Sequence, residues 1–522
     1  SGSFTYDASA SIASSGFDFG AALNATEDDG DATLTVATAD VDDGSTVTLT
    51  LNGQTYTGTV SSDSAAIVVA AADLQALTEG AVAYTVDVSD SAGNAAAQHS
   101  GTFSYDATAP SVATSAFGFG AALNATEDDG DATLTVTTEG VEDGNTVTLA
   151  MNGQSYTGTV SSDSASIVVA AADLQALTEG TVAYTADVSD SVGNAATQHS
   201  GSFIYDATAP SVATSAFGFD AVLNATEDDG DATLTVTTSG VEDGNTVTLA
   251  MNGQSYTGTV SSGSASIVVA AADLQALAEG TVAYTADVSD SAGNAATQHS
   301  GSFTYDASAS IASSAFDFGA VLNASEDDGD ATLTVATVDV DDGSTVTLTL
   351  NGQTYTGTVS SDSAAIVVAA EDLQALTEGA VAYTVDVSDS AGNPATQHSG
   401  SFSYDASASI ASSAFGFDAA LNATEDDGDA TLTVATADVD DGSTVTLTLN
   451  GQSYTGAVSG DSASIVVAAA DLQALTEGSV AYTADVSDSA GNTATQHSGT
   501  FEDDHSAPIA SSAFIFGTAL TA

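Results

Sequence analysis

The chain repeats itself. The marker Phe-x-Tyr-Asp begins at Phe4, Phe103, Phe203, Phe303 and Phe402, with a variant at Phe501, so its spacing is 99 or 100 residues in a chain of 522. Such periodicity governs how every other feature is read. A solenoid unit has roughly 20–50 residues, whereas a period of about 100 is the size of one separately cored sandwich domain. The period predicts five domains, at 8–106, 107–206, 207–306, 307–405 and 406–504. It also predicts the last strand of a preceding repeat at 1–7 and the first strand of a following one at 505–522.

Within a repeat, residues 32–36 and 46–51 alternate apolar with polar, the signature of half-buried strands. Asn52-Gly53 follows, and alternation resumes at Gln54, which predicts a tight hairpin. Residues 64–70, 82–88 and 95–105 read as further strands, and 17–23 as the first. Asp73 to Leu77 suggests one helical turn, with Asp73 as N-cap and Gly80 as its stop. The expected fold is therefore all-β, a tandem array of immunoglobulin-like β-sandwiches of about seven strands each. Tyr84 falls where such folds carry a tyrosine corner, with Val86 in place of the second cysteine. The same position recurs at Tyr184, Tyr284, Tyr383 and Tyr482.

Composition then narrows function. The chain has 71 Asp plus Glu and no Lys or Arg, a formal charge of −71. Nucleic acid is excluded as a partner, because Lys and Arg supply the neutralisation of its phosphates. Anionic membrane surfaces are excluded for the same reason. Without Cys there is neither a disulfide nor a thiolate site. A content of 43% hydrophobic against 14% charged residues is that of a cored protein rather than a disordered acidic tail. The longest apolar run, residues 65–72, is too short to span a bilayer. No secretory leader pattern opens the chain, which reads as a segment of something longer.

The acids concentrate in loops that the sandwich topology brings to the junctions. At the C-terminal pole stand the first-to-second strand loop, with Asp29 and Asp31, and the helical turn with Glu79. The next repeat offers Asp143 in its second-to-third strand loop and Asp190 and Asn194 in a later turn, and the linker between carries Asp106. Later junctions collect Asp129, Asp131, Asp206, Asp243 and Asp290, then Asp229, Asp231, Asp306 and Asp389, then Asp405 and Asp488. Carboxylates crowded together disfavour one another's ionisation. Hard cations with six to eight oxygen ligands relieve that, and Ca²⁺ tolerates irregular geometry better than Mg²⁺. Ca²⁺ is thus the expected cofactor, against the plainer reading of solvated acidic loops.

At this point the chain resembles the bacterial Ig-like tandem repeats of very large surface adhesins, particularly the extender regions of type I-secreted RTX adhesins. The residues that carry the resemblance are Asp106-Ala-Thr-Ala-Pro110, Asp206-Ala-Thr-Ala-Pro210, Ser89-Asp-Ser-Ala-Gly-Asn94 and the Asn52-Gly53 hairpin, across all five repeats. The resemblance implies an extracellular, cell-surface rod that projects an adhesive tip for adhesion or biofilm formation, with Ca²⁺ stiffening its joints. It also implies Asp106, Asp206, Asp306 and Asp405 as linker ligands. Asp7, Asp306 and Asp405 are followed by Ala-Ser-Ala-Ser without proline, a departure that predicts less restrained joints. The partners of each repeat would be its neighbours in the same chain.

Other readings are weaker. A strand at 4–7 and another at 514–520 would leave open edges, so like chains in a self-assembling extracellular fibre or surface layer are the alternative. Asn24-Ala-Thr26 is a glycosylation sequon, with equivalents at Asn124, Asn224, Asn323 and Asn422. The histidines at 99, 199, 299, 398 and 497 fall in the last strand of each repeat and read as surface or packing residues rather than a catalytic triad. With no Lys, Arg, Cys or Trp, neither an enzyme nor a sugar-binding array is expected.

Overall fold

The computed structural model describes residue 2 and residues 6–506. The strands expected at 4–7 and 514–520 therefore lie wholly or largely outside the described residues. Two compact units make up the chain. One holds the chain up to Gly218 with Thr233–Val268 and Ala283–Gly301; the other holds Phe219–Ala232, Val269–Val282 and the chain from Ser302 on.

Repeat 1, in the first unit, shows the architecture. Its strands are β1 (Ser11–Phe17), β2 (Ala22–Leu23), β3 (Ala32–Ala39), β4 (Thr46–Leu51), β5 (Gln54–Thr59), β6 (Ser64–Val69), β7 (Gly80–Val88) and β8 (His99–Tyr105), with one helical turn, α1 (Ala71–Leu74). They form two sheets, in the orders β1-β3-β6 and β2-β8-β7-β4-β5. Repeats 4 and 5, in the second unit, carry the same pair of sheets. In repeat 2 the strand Gln154–Ser161 is longer and pairs with both neighbours, so the two sheets join at that edge.

Alternation explains the core. In β3, Ala32, Leu34 and Val36 are buried while Thr35 faces out, and β4 buries Val47, Leu49 and Leu51. Leu23, Ile67, Val69 and Leu74 close the interior, all fully buried. Phe17 and Phe19 stack at 4.7 Å between centroids, and Phe103 meets both edge-on. Such edge-to-face contacts add to the area that the rings bury. The hairpin forms as expected: Asn52 and Gly53 both take positive φ, at 49° and 78°, which a type I′ turn requires.

Four local expectations differ from the structure. The first strand is not a single element at 17–23. It starts at Ser11, pairs with β3, leaves that sheet after Phe17, and re-forms as β2 parallel to β8. The last strand begins at His99 rather than Ala95, which makes only an isolated bridge to Ser89. Asp73 does not cap α1. The N-cap is Ala70, and Asp31 from the loop before β3 accepts the Ala71 amide at 3.0 Å in its stead. Tyr84 makes no corner within its own sheet. Its hydroxyl bonds Ser15 Oγ on β1 at 2.9 Å and so ties the two sheets together. The ring lies flat over Gly101 of β8, where any Cβ would come within 2.2 Å of Tyr84 Cζ.

Candidate functional site

The marker Phe-x-Tyr-Asp spends each residue differently. Phe103 enters the aromatic cluster, and the Tyr105 hydroxyl donates to the buried Asp28 carboxylate at 2.6 Å. Burial first, and the facing Asp28 next, push the Tyr105 phenol up to about 12. Asp106 then leaves the sandwich as the linker residue, its amide bonded to Leu23 O. The same tyrosine–aspartate pair recurs at Tyr205–Asp128, Tyr305–Asp228 and Tyr404–Asp327.

Consecutive repeats touch through a hydrogen-bonded joint. In the first unit, Asp190 Oδ1 accepts the amides of Val192, Gly193 and Asn194, folding a tight turn. Asn194 is 4% exposed, and its Nδ2 donates to Asp190 Oδ2 and to the linker carbonyl of Asp106. Its Oδ1 accepts the amide of Ala25 in the preceding repeat at 2.8 Å. Asn24 Nδ2 completes the joint by donating to Val192 O at 2.9 Å. The joint recurs with Asn294, Ala125 and Asn124, and in the second unit with Asn393, Ala225 and Asn224 and with Asn492, Ala324 and Asn323. The sequon asparagines of the first four repeats are therefore joint residues. Asn422 instead donates to Glu425 in its own loop.

Around this joint the carboxylates gather. Burial raises the Asp206 carboxyl above its usual range, with repulsion from Asp290, Glu179 and Glu242 added, while the Thr208 amide works against the rise. Burial likewise raises Asp306, which faces Asp389, Glu279 and Asp341, and Asp405, which faces Asp488, Glu378 and Asp440. Each of these neighbours comes from a different element: the end of the helical turn, the second-to-third strand loop, and the later turn. A cleft of about 440 Å³ is lined by Glu279, Tyr305, Asp306, Asp339, Asp341 and Asp362 among others, and one of about 370 Å³ by Glu378, Tyr404, Asp405, Asp438, Asp440 and Asp461.

Two of the three proline-free linkers, those of Asp306 and Asp405, lie at these two clefts. In repeat 2, Pro110 packs on Gly140, with Pro110 Cα 3.6 Å from where a Cβ would stand. The position of Gly140 is Asp339 in repeat 4 and Asp438 in repeat 5, so losing the proline comes with one more carboxylate at the junction. These linkers also gain a bond, from Asn393 Nδ2 to Asp306 Oδ1 at 3.3 Å and from Asn492 Nδ2 to Asp405 Oδ1 at 3.2 Å.

Of the remaining candidates, the aspartates bond within their own repeats, while Glu79 reaches across to the start of the next. Asp29, Asp129 and Asp229 accept from Gln75, Gln175 and Gln275 Nε2. Asp31, Asp131 and Asp231 hold the amides of Ala71, Ala171 and Ala271. Asp143 and Asp243 accept from the Ser162 and Ser262 amides, while the residues before them, Glu142 and Glu242, turn to the Ser191 and Ser291 amides. Glu79 accepts from Thr108 Oγ1 at 2.7 Å and the Ala107 amide at 3.0 Å, which hold its carboxyl below the usual range, the hydroxyl bond contributing most. Nothing in the sequence singles out Glu242, Asp341 and Asp440, because neighbouring positions of one turn both carry acids.

The donor set at the linkers fits a hard cation. It is oxygen only, its members repel one another, and no Lys or Arg exists to offset them. Among the described residues, no three acids or imidazoles already converge as a metal set. His299 Nε2 lies 2.9 Å from Ser215 Oγ, itself bonded to Tyr284, which makes it a packing neighbour of that pair. No helix among the described residues is long and apolar enough to cross a membrane.

No protein-family model and no curated protein matches the chain. Among solved structures it is similar to a Ca²⁺-stabilised adhesin that helps an Antarctic bacterium reach out and bind ice, at 32% identity over 76% of this chain and 100% of that one, TM-score 0.33. It is 29% identical to part of a 1.5-MDa bacterial ice-binding adhesin described for host cell surface retention, over 55% of this chain and 94% of that one, TM-score 0.32. A bacterial immunoglobulin-like domain from the M. primoryensis ice-binding adhesin is 33% identical, over 19% of this chain and 99% of its own, TM-score 0.16.

Proposed function

The chain belongs to the bacterial immunoglobulin-like tandem repeats of large adhesins, and on that premise we propose that it is a structural extender, an extracellular spacer that carries an adhesive tip away from the cell surface. It does no chemistry of its own. Each repeat adds the length of its strands, about 26 Å for eight residues at ~3.3 Å each. Ca²⁺ is taken up where the linker aspartates Asp206, Asp306 and Asp405 face Glu179, Glu279 and Glu378 together with Asp290, Asp389 and Asp488. Glu242, Asp341 and Asp440 join them. The ion supplies the positive charge that this composition lacks and removes the repulsion that works against each joint.

The observation that carries the reading is the joint itself. The same asparagine clamp and the same crowd of linker-facing acids recur from one junction to the next, as suits units that all do one job. The similar adhesin of the Antarctic bacterium is described as Ca²⁺-stabilised, which supports the choice of ion. Small-angle scattering of the chain in Ca²⁺ and in chelator tests it. The maximum dimension is expected to be larger and better defined with Ca²⁺; identical curves in the two buffers would dismiss the stiffening.

A further inference from the structure

The fifth repeat breaks the tyrosine–aspartate pairing of the other four. Where Tyr105, Tyr205, Tyr305 and Tyr404 stand, it has Asp503. The register is kept, since Leu421 pairs with Asp503 as Leu322 pairs with Tyr404, so the Asp503 side chain takes the inward direction of the phenol. The side chain is 0% exposed, and its Oδ2 is buried without a hydrogen-bond partner. The phenol would have reached the buried aspartate of the loop before the second strand, here Asp426. A short carboxylate thus aims into the space of a phenol, towards a second buried acid.

His505 is the other novelty. It occupies the place of Ala107, Ala207, Ala307 and Ala406 in the earlier linkers. Its Nδ1 lies 3.1 Å from Asp503 Oδ1. The bond to Asp503 raises the imidazole above its usual range, and the charges of Glu477 and Asp426 act in the same direction. The ring thus touches Asp503 directly, with Glu477 and Asp426 acting on it at longer range.

We propose that the C-terminal pole of the fifth repeat is a site for one divalent cation of the zinc class, held by Asp503, Asp426 and His505 with Glu477 beside them. The orphaned Asp503 Oδ2 needs a positive partner, and the chain has no Lys or Arg to supply one. The imidazole selects the ion. Oxygen-only sets suit Ca²⁺ and Mg²⁺, whereas an imidazole among carboxylates suits Zn²⁺ and its neighbours. A carboxylate bonded to a ring nitrogen also fixes the orientation of that ring, as around many bound metals. The three ligands do not yet meet at a point, so the ion draws Asp426 and Glu477 onto the Asp503–His505 pair. This site is independent of Ca²⁺ at the junctions and stands if that reading falls.

Two substitutions restore what the other repeats carry, so both keep the fold: Asp503→Tyr and His505→Ala. The experiment is a calorimetric titration of the full chain with Zn²⁺ in saturating Ca²⁺. One Zn²⁺ per chain is expected on the native protein, none at that site in Asp503→Tyr, and at least tenfold weaker binding in His505→Ala. Equal Zn²⁺ uptake by the native chain and Asp503→Tyr would overturn the proposal, as would a native chain that takes up none. Loss of the Zn²⁺ signal to Ca²⁺ competition alone would also overturn it, because the site would then be an oxygen-only one.

Discussion

Truncating Asn393 to alanine separates what joins two repeats from what folds one. Asn393 is 2% exposed. Its Nδ2 donates to Asp389 Oδ2 at 2.7 Å and to the Asp306 carbonyl at 2.8 Å, and its Oδ1 accepts the Ala225 amide at 2.8 Å. The bond to Asp389 belongs to the turn of repeat 4, and a bond to a charged group contributes about 1.5–3 kcal/mol. The contact to Asp306 Oδ1 is long, at 3.3 Å, and the two shorter neutral bonds reach the linker and the preceding repeat. At about 1 kcal/mol for each neutral bond, they couple the repeats by about 2 kcal/mol, or roughly 25-fold in an equilibrium. Amide hydrogen exchange of the full chain, read by mass spectrometry, measures this directly. The peptide 220–234 contains Ala225, and its sequence occurs once in the chain. In Asn393→Ala the Ala225 amide should exchange roughly 25-fold faster, while the strand Ala331–Val338 of repeat 4 keeps its protection. Unchanged exchange at Ala225 would refute the clamp, and equal acceleration throughout repeat 4 would reduce Asn393 to a residue of its own domain.

Three further outcomes follow from the same contacts. Gly400→Ala places a Cβ 2.2 Å from Tyr383 Cζ and should destabilise repeat 4 by about 1–3 kcal/mol, read as one lowered calorimetric transition; unaltered melting would contradict the packing. Tyr105, Tyr205, Tyr305 and Tyr404 are raised from 10.0 to about 12 by burial and their aspartates. Their contribution is full below pH 10 and disappears as pH rises to about 12, on the order of 2–3 kcal/mol each. Alkaline unfolding followed by tyrosinate absorbance should therefore take repeats 1–4 down within that window. Asp306→Asn should have opposite effects in two buffers. In chelator it removes a repelled, part-buried charge and raises the melting temperature, and in Ca²⁺ it removes a ligand and lowers it; a change of the same sign in both would count against the ion.

The repeat, the alternating strands and the Asn52-Gly53 turn were legible because each rests on local spacing. β1 was not, because Ser11–Phe17 is mostly serine and small residues and fully buries only Phe17, leaving no clear period to read. Tyr84 was placed in a corner because its partner, Ser15, lies 69 residues away. The acids are legible as loop residues, yet which of Glu242 and Asp243 turns to the linker side depends on the loop's own geometry. Asn24 read as a sequon because nothing local shows that its amide spans 168 residues to Val192. Composition could say that acids without bases need a cation. It could not say that Asp503 Oδ2 would be sealed in without a partner.

The split first strand bears on what a tether must withstand. β2 runs parallel to β8, with the Ser104 and Asp106 amides bonded to Ala21 and Leu23 carbonyls. A pull on both ends of repeat 1 drags these two segments in opposite directions along their own length, so the bonds between them are sheared together and cannot be peeled apart one at a time. Load carried between β2 and β8 is therefore met by that patch as one unit.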